Sequence, residues 1–492
     1  MKNFYTSILL LGLFIGGTIT SKAADDPFIS DGSGKVYTFE SLSKLVPEIT
    51  VANGNEYTVP ISFTISAKDT LKLDNKAIIK MASSSVITIK GYADFTPADT
   101  ASIIPANDGD TPKGIYVYDD GSKGKFRHIY FEGAGIKSYN GVLDAENCTF
   151  NKTNTKLSNG AVYFAGSVDG NIVNKCTFTE CTCCAVGSGA NCANGIKITN
   201  CYFYNNDVSL RNYPHINYNT AGDYIVEVSG NTIIGVKDQN TMSGGIGVTN
   251  MLSLGGTNKV IIKDNVVKDC RYGITTLGKM DVQIVNNQLI DNKYETNAMN
   301  GGSAISIYDS SYLQDAYIEG NLLQGSLWGL TIIGGKNVNV GKTNDIAAAD
   351  YNPGKNVFKD NGNGGVLYDL YNNGTNTVFA QGNTWNVAVQ DKASIAQVIF
   401  DKSDDSSLGE VIYMPGEGSV EGTLGNAKVE YDAASKSIKS VGEMNVAVYA
   451  VNGECVAEVK GSDEVSLPQL ASGIYIAKVV ANNGISILKF RF

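Results

Sequence analysis

Short runs of bulky apolar residues recur along the chain, each set off by Gly, Asn or a small polar residue. One phrase places Cys or Asn first, a variable residue second and a bulky apolar residue third. It reads Cys148-Thr149-Phe150, Cys176-Thr177-Phe178, Cys201-Tyr202-Phe203, Asn231-Thr232-Ile233 and Asn265-Val266-Val267. It continues as Asn287-Gln288-Leu289, Asn321-Leu322-Leu323, Asn356-Val357-Phe358 and Asn383-Thr384-Trp385. Successive occurrences lie 28, 25, 30, 34, 22, 34, 35 and 27 residues apart. Between them runs a second phrase, a Gly or small residue leading an aliphatic strand. Examples are Gly160-Ala161-Val162-Tyr163, Gly245-Ile246-Gly247-Val248, Gly273-Ile274, Ala304-Ile305-Ser306-Ile307, Gly329-Leu330 and Gly365-Val366.

Nine occurrences at a period of 22–35 residues predict a solenoid of stacked coils. The runs are too short and too often broken by Gly for helix pairs. One coil of a parallel β-helix needs about three short strands and three turns, which fits this period. Asn at the same bend of successive coils stacks, each amide bonding the next along the axis. Cys148, Cys176 and Cys201 take that place in the first three coils and make the ladder there small and apolar, while Asn231, Asn265, Asn287, Asn321, Asn356 and Asn383 continue it.

These phrases resemble the repeats of the right-handed parallel β-helix, or pectin-lyase-like, superfamily. The resemblance covers roughly residues 70–415 and speaks for fold rather than activity, because one such fold hosts many functions. Residues 24–69 are expected to form an N-terminal cap and lead-in. Within them Phe39, Leu42, Leu45 and Val46 fall at helical spacing, which predicts a helix laying one face over the first coil. Asn383-Thr384-Trp385 and the stretch from Asp404 to Pro415 resemble the closing coil of surface β-helices.

Beyond a linker over residues 416–426, short alternating strands separate at Asn452-Gly453, Ser472-Gly473 and Asn482-Asn483-Gly484. They predict a small β-sandwich over residues 427–492, so the expected fold class is all-β throughout. Val446 to Gly453, Leu470 to Lys478 and Lys489-Phe490-Arg491-Phe492 resemble the C-terminal sorting domain of type IX secretion substrates, a family of the Bacteroidota. That resemblance implies the type IX machinery as a partner and release from, or display on, the outer membrane of a Gram-negative bacterium. A stabilising accessory sandwich is the alternative. Asp69-Thr70-Leu71 and Asp99-Thr100-Ala101 match a short O-glycosylation pattern of the same bacterial group.

Composition narrows the function. The chain has 492 residues, of which 18% are charged and 43% hydrophobic, with 54 Gly and 48 Asn. So large an apolar share excludes wholesale disorder. Lys2 begins a leader whose apolar stretch covers residues 8–20, followed by Ser21-Lys22-Ala23. This reads as a signal peptide over residues 1–23, implying export machinery and signal peptidase as partners. No later segment approaches the ~20 uninterrupted apolar residues of a transmembrane helix. A net charge of -10, or -12 without Lys2 and Lys22, argues against nucleic acid.

Candidate chemistry is sparse. The nine cysteines leave three readings open: stacked thiols, disulfides, or a metal site around Cys176, Cys181, Cys183, Cys184 and Cys192. The spacing fits no common zinc pattern, and no resident metal or cofactor is expected. The Asn-Thr-Asp, Asp-Asp, Gly-His-Gly and Arg-Ile-Lys set of the galacturonases does not occur in order. With two His and four Arg, the best catalytic constellation is Arg211-Asn212-Tyr213-Pro214-His215, offering a base and a cation in one loop; a polar turn between coils explains it as well. Tyr163, Tyr308 and Tyr368 lie 13, 13 and 15 residues before the next ladder phrase. They are the candidate sugar-stacking face, with Asp309 and Asp369 as acceptors for sugar hydroxyls. Three functions follow: a non-catalytic β-helix binding glycan or host matrix; a polysaccharide lyase or glycosidase, with Ca²⁺ if a lyase; and a structural or adhesive spacer.

Overall fold

The computed structural model describes residues 28–154, 160–219, 222–295, 297–298, 300–415, 429–450, 453–481 and 484–492. The signal peptide and the whole of the linker expected from the sequence lie outside these. The chain divides into two compact units, Met1–Pro415 and Gly416–Phe492.

The first unit is a right-handed parallel β-helix. Among the described residues three sheets of 14, 14 and 13 strands run along it, and apart from the antiparallel pair Thr50–Ala52 and Glu56–Val59 at the head of the third, neighbouring strands within each sheet are one coil apart. One coil reads Gly114–Tyr118 in the first sheet, Lys123–Arg127 in the second and Ile129–Glu132 in the third. Period-2 alternation decides what faces inward, as in Val86–Ile89, where every second residue is buried. In-register stacking lines these residues into columns. The first sheet carries Phe63, Ile87, Ile115, Ile136, Val162, Val186, Ile216, Ile246, Ile274, Ile305, Leu330, Leu370 and Ile399 as one unbroken apolar column. Burying each such side chain stabilises the fold by ~1.5–3 kcal/mol. In the third sheet Phe131, Phe150, Phe178 and Phe203 stack with ring centroids 4.7, 4.9 and 4.9 Å apart.

The bend between the second and third sheets explains the ladder phrase. The residue before each ladder position adopts positive φ, for example Asn147, Lys175, Gly230, Asp264, Asn286 and Gly320. Gly and Asn tolerate that conformation best. The next side chain then points along the axis. Asn287 Nδ2 donates to Asn321 Oδ1 at 2.9 Å and to the Ile262 carbonyl at 3.0 Å, while its Oδ1 accepts from Asn265 Nδ2 at 2.9 Å. The same bonds join Asn231 to Asn265, Asn321 to Asn356 and Asn356 to Asn383. Cys201 Sγ accepts the Cys176 backbone N–H at 3.4 Å. All nine cysteines are thiols, and only Cys455 is exposed.

At the head of the solenoid the helix Phe39–Leu45, capped by Thr38, buries Phe39 and Leu42. Leu45 instead points outward, 58% exposed. Asp69 is fully buried and accepts N–H bonds from Gly32, Gly34 and Lys35, tying the first strands to the cap.

The second unit is antiparallel. Glu430–Asp432, Ser437–Ala450, Cys455–Ser466, Ile474–Ala481 and Gly484–Arg491 form one hydrogen-bonded sheet. Its two longest strands break register between Lys439 and Glu443. The sheet encloses its own core of Ile438, Met444, Val446, Val448, Val465, Tyr475, Val479 and Phe490, and Tyr431 packs on Phe490 at 4.3 Å.

Candidate functional site

The outward residues of the first sheet form a column beside the apolar one. It reads Thr88, Tyr116, Lys137, Tyr163, Gly187, Asn217, Gly247, Thr275, Ser306, Thr331, Tyr371 and Phe400. Aromatic residues stand near both ends and small or hydrogen-bonding residues between. From Tyr163 to Tyr371 there are seven strand spacings, roughly 33 Å at ~4.8 Å each.

The N-terminal cluster is a tyrosine shelf around one lysine. Tyr116 and Tyr118 alternate outward from Gly114–Tyr118, and Lys137 and Tyr139 from Ile136–Tyr139. The Tyr139 ring lies 5.6 Å from Tyr116 and 4.8 Å from Tyr118. Lys137 Nζ stands 4.6 Å from the Tyr139 centroid, 5.1 Å from Tyr163 and 5.8 Å from Tyr116. Among the described residues the titratable groups that shift it are the Cys192 thiol and Lys113, with no carboxylate between them. Burial pushes the Lys137 amine down to about 8 and the Tyr116 phenol up to about 12. The contrast with the second sheet is clear. There Arg127 pairs with Asp144 at 2.5 Å and Glu146 at 3.3 Å, and Lys263 pairs with Glu227 at 3.2 Å.

The C-terminal cluster joins Trp328 to Tyr368 at 4.5 Å and to Tyr371 at 5.4 Å, with Phe400 edge-on to Tyr371 at 5.1 Å. Trp328 Nε1 donates to the Ala298 carbonyl at 2.8 Å and fixes the indole. Val366 and Leu367, in the adjoining hairpin, are exposed.

Of the residues singled out from the sequence, two lie in these clusters and the rest fall elsewhere. Tyr163 belongs to the first cluster, its hydroxyl close above Gly189, and Tyr368 to the second. Tyr308 joins neither, standing in register with Leu277 and Ile333. Asp309 does not face a ligand surface: it is buried, and its carboxylate accepts N–H bonds from Ser311, Leu313 and Gln314. Asp369 is buried as well, accepting from the Asn386 N–H at 2.7 Å and from Asn361 Nδ2 at 3.3 Å. Burial raises its carboxyl to about 6. Arg211 is exposed, whereas His215 is fully buried, so the two do not share a groove. Asn206 Nδ2 donates to His215 Nδ1 at 3.0 Å, and burial lowers the imidazole to about 3. A neutral interior imidazole cannot serve as a surface base. His128 occupies a positive-φ bend between two strands. Among the described residues no three His, Cys, Asp or Glu side chains converge on a metal-sized site.

Sequence reasoning missed Tyr116, Tyr118, Lys137 and Tyr139. The signal was present in Ile115-Tyr116-Val117-Tyr118 and Ile136-Lys137-Ser138-Tyr139, where aromatic residues and a lysine fill the outward places of an alternating strand.

No protein-family model matches the chain, and no curated protein matches it. Among solved structures it is similar to a mutant of the periplasmic alginate epimerase AlgG, at 11% identity over 77% of each chain with a TM-score of 0.38.

Proposed function

We propose that this protein is an exported, non-catalytic glycan-binding β-helix whose contact surface is the outward column of the first sheet. The observation that carries this reading is an aromatic cluster at each end of one outward column, entered through Tyr116 and Tyr163 at one end and Tyr371 and Phe400 at the other, with Asn217, Thr275 and Ser306 between them. Aromatic faces stack on the apolar faces of sugar rings, and hydroxyl and amide side chains exchange hydrogen bonds with sugar hydroxyls. A lyase or glycosidase built on Arg211 and His215 is not adopted, because His215 is interior. A purely structural spacer would have no need of aromatic clusters on one outward column.

Residues 1–23 direct export in this reading, and the C-terminal unit directs secretion to the surface or medium by the type IX route. Deleting residues 416–492 in the native host tests the sorting part, which fails if the truncated protein still leaves the periplasm normally. Glycan-array hits followed by calorimetric titration test the binding part. Tyr139→Ala is expected to weaken binding about 5- to 150-fold, since losing one stacked ring costs about 1–3 kcal/mol by analogy with base stacking. No array ligand, or a ligand bound equally by Tyr139→Ala and Trp328→Ala, would refute it.

A further inference from the structure

Lys137 is set apart from the ion-paired lysines of this protein by its surroundings. Its Nζ is ringed by Tyr139, Tyr163 and Tyr116 at 4.6, 5.1 and 5.8 Å. It projects from the outward face of Ile136–Tyr139 and is half-buried rather than sealed. The titratable groups that face it are those three phenols, the Cys192 thiol and the like-charged Lys113. Cys192 itself is buried, in the turn that its N–H closes on the Gly189 carbonyl.

From this geometry we infer that Lys137 is a nucleophilic amine that condenses reversibly with aldehydes reaching the tyrosine shelf. A lysine in such a site loses hydration of its charged form without gaining a carboxylate to replace it. Burial without a carboxylate partner holds the amine near 8 rather than the usual 10.5. At pH 7.5 about a quarter of Lys137 is then neutral, against roughly one in a thousand for an exposed lysine.

The step balances without a redox partner. The Nζ lone pair adds to the carbonyl carbon, and the C=O π pair moves to oxygen, which takes a proton from water or a shelf phenol. The nitrogen of the carbinolamine loses a proton, the hydroxyl leaves as water, and a C=N bond forms. Amine plus aldehyde gives imine plus water. The protonated imine is again a cation, and the faces of Tyr139 and Tyr163 stabilise it. The open-chain aldehyde of a reducing sugar is the class of ligand that the shelf would deliver; that clause rests on the glycan-binding reading, whereas reactivity toward simple aldehydes does not.

Mature protein incubated with glycolaldehyde and sodium cyanoborohydride at pH 7.5, then digested for mass spectrometry, tests the inference. Lys137 is expected to be alkylated at least tenfold faster than the median lysine. Lys137→Arg should remove the fast phase with the melting temperature unchanged, and Cys192→Ser should leave it in place. Labelling of Lys137 at or below the median rate in folded wild-type protein would overturn the inference. Repeating the reaction with a reducing oligosaccharide separates the two claims. Fast labelling by glycolaldehyde but not by the sugar would keep the reactive amine and reject the sugar as its ligand.

Discussion

Asn287 shows how much one side chain contributes to the solenoid. Its amide bonds Asn265 on one side and Asn321 on the other, and it satisfies the backbone carbonyls of Ile262 and Val285. It is fully buried. Leucine is nearly isosteric but offers none of these bonds, and each buried partner left unsatisfied costs about 1–3 kcal/mol. Asn287→Leu is therefore expected to lower the melting temperature by several degrees, measured by circular dichroism at 218 nm on the far-ultraviolet β signal. An unchanged melting temperature would contradict the bonding described for this column. The ladder was legible in the sequence because the same residue returns once per coil. A second polar column was equally legible and escaped notice. Five residues after the ladder come Cys181, Asn206, Cys270, Asn292, Ser326 and Asn361, each the residue after a positive-φ bend. Asn206 Oδ1 accepts the Cys181 N–H, Asn292 Oδ1 that of Cys270 and Asn361 Oδ1 that of Ser326, each at 3.1 Å.

The entrance to each first-sheet strand explains both the small-residue phrase and the misread candidates. A Cβ on Gly245 would lie 2.3 Å from the Gly273 carbonyl, and one on Gly273 or Gly329 as close to the next coil. Other coils carry Ala at that place, as at Ala161, Ala185 and Ala304. His215 and Asp369 stand at the same place and survive by bonding the second polar column, through Asn206 and Asn361. Their polarity looked like chemistry because sequence alone does not show which side of a bend is interior. Here pH becomes informative. The folded imidazole of His215 titrates near 3 against 6.5 unfolded. Between those values the unfolded chain binds a proton that the folded one refuses, so this residue removes stability as pH falls below about 6.5. Asp207 and Asp369, both raised to about 6 by burial, act in the opposite sense, favouring the fold as they protonate. The difference between wild type and His215→Phe isolates the histidine. Thermal melts from pH 7 to pH 4 are expected to fall less steeply for the variant; parallel curves would place the imidazole in contact with water.

At the scale of the whole molecule, the architecture was readable and the contact surface was not. Repeat period and phrase order specify three parallel sheets, because each coil must bury its own apolar residues on its neighbours. Which outward face meets a ligand depends on register across coils, and that appears only when Tyr116, Lys137 and Tyr163 are stacked in adjacent strands. The aligned tyrosines of the sequence reading, Tyr163, Tyr308 and Tyr368, are in fact dispersed, since loops of different length shift equal spacings to different columns. In the proposed reading one extended glycan lies along the first sheet and engages both aromatic clusters. Two clusters on one rigid surface make the second contact intramolecular once the first has formed. Calorimetric affinity against oligosaccharide length tests this most directly. Affinity is expected to rise with chain length until the oligomer spans about 33 Å, seven strand spacings. Trp328→Ala should abolish the gain for long chains while leaving short ones bound at the Tyr139 shelf. Affinity independent of length, or a length dependence untouched by Trp328→Ala, would contradict it.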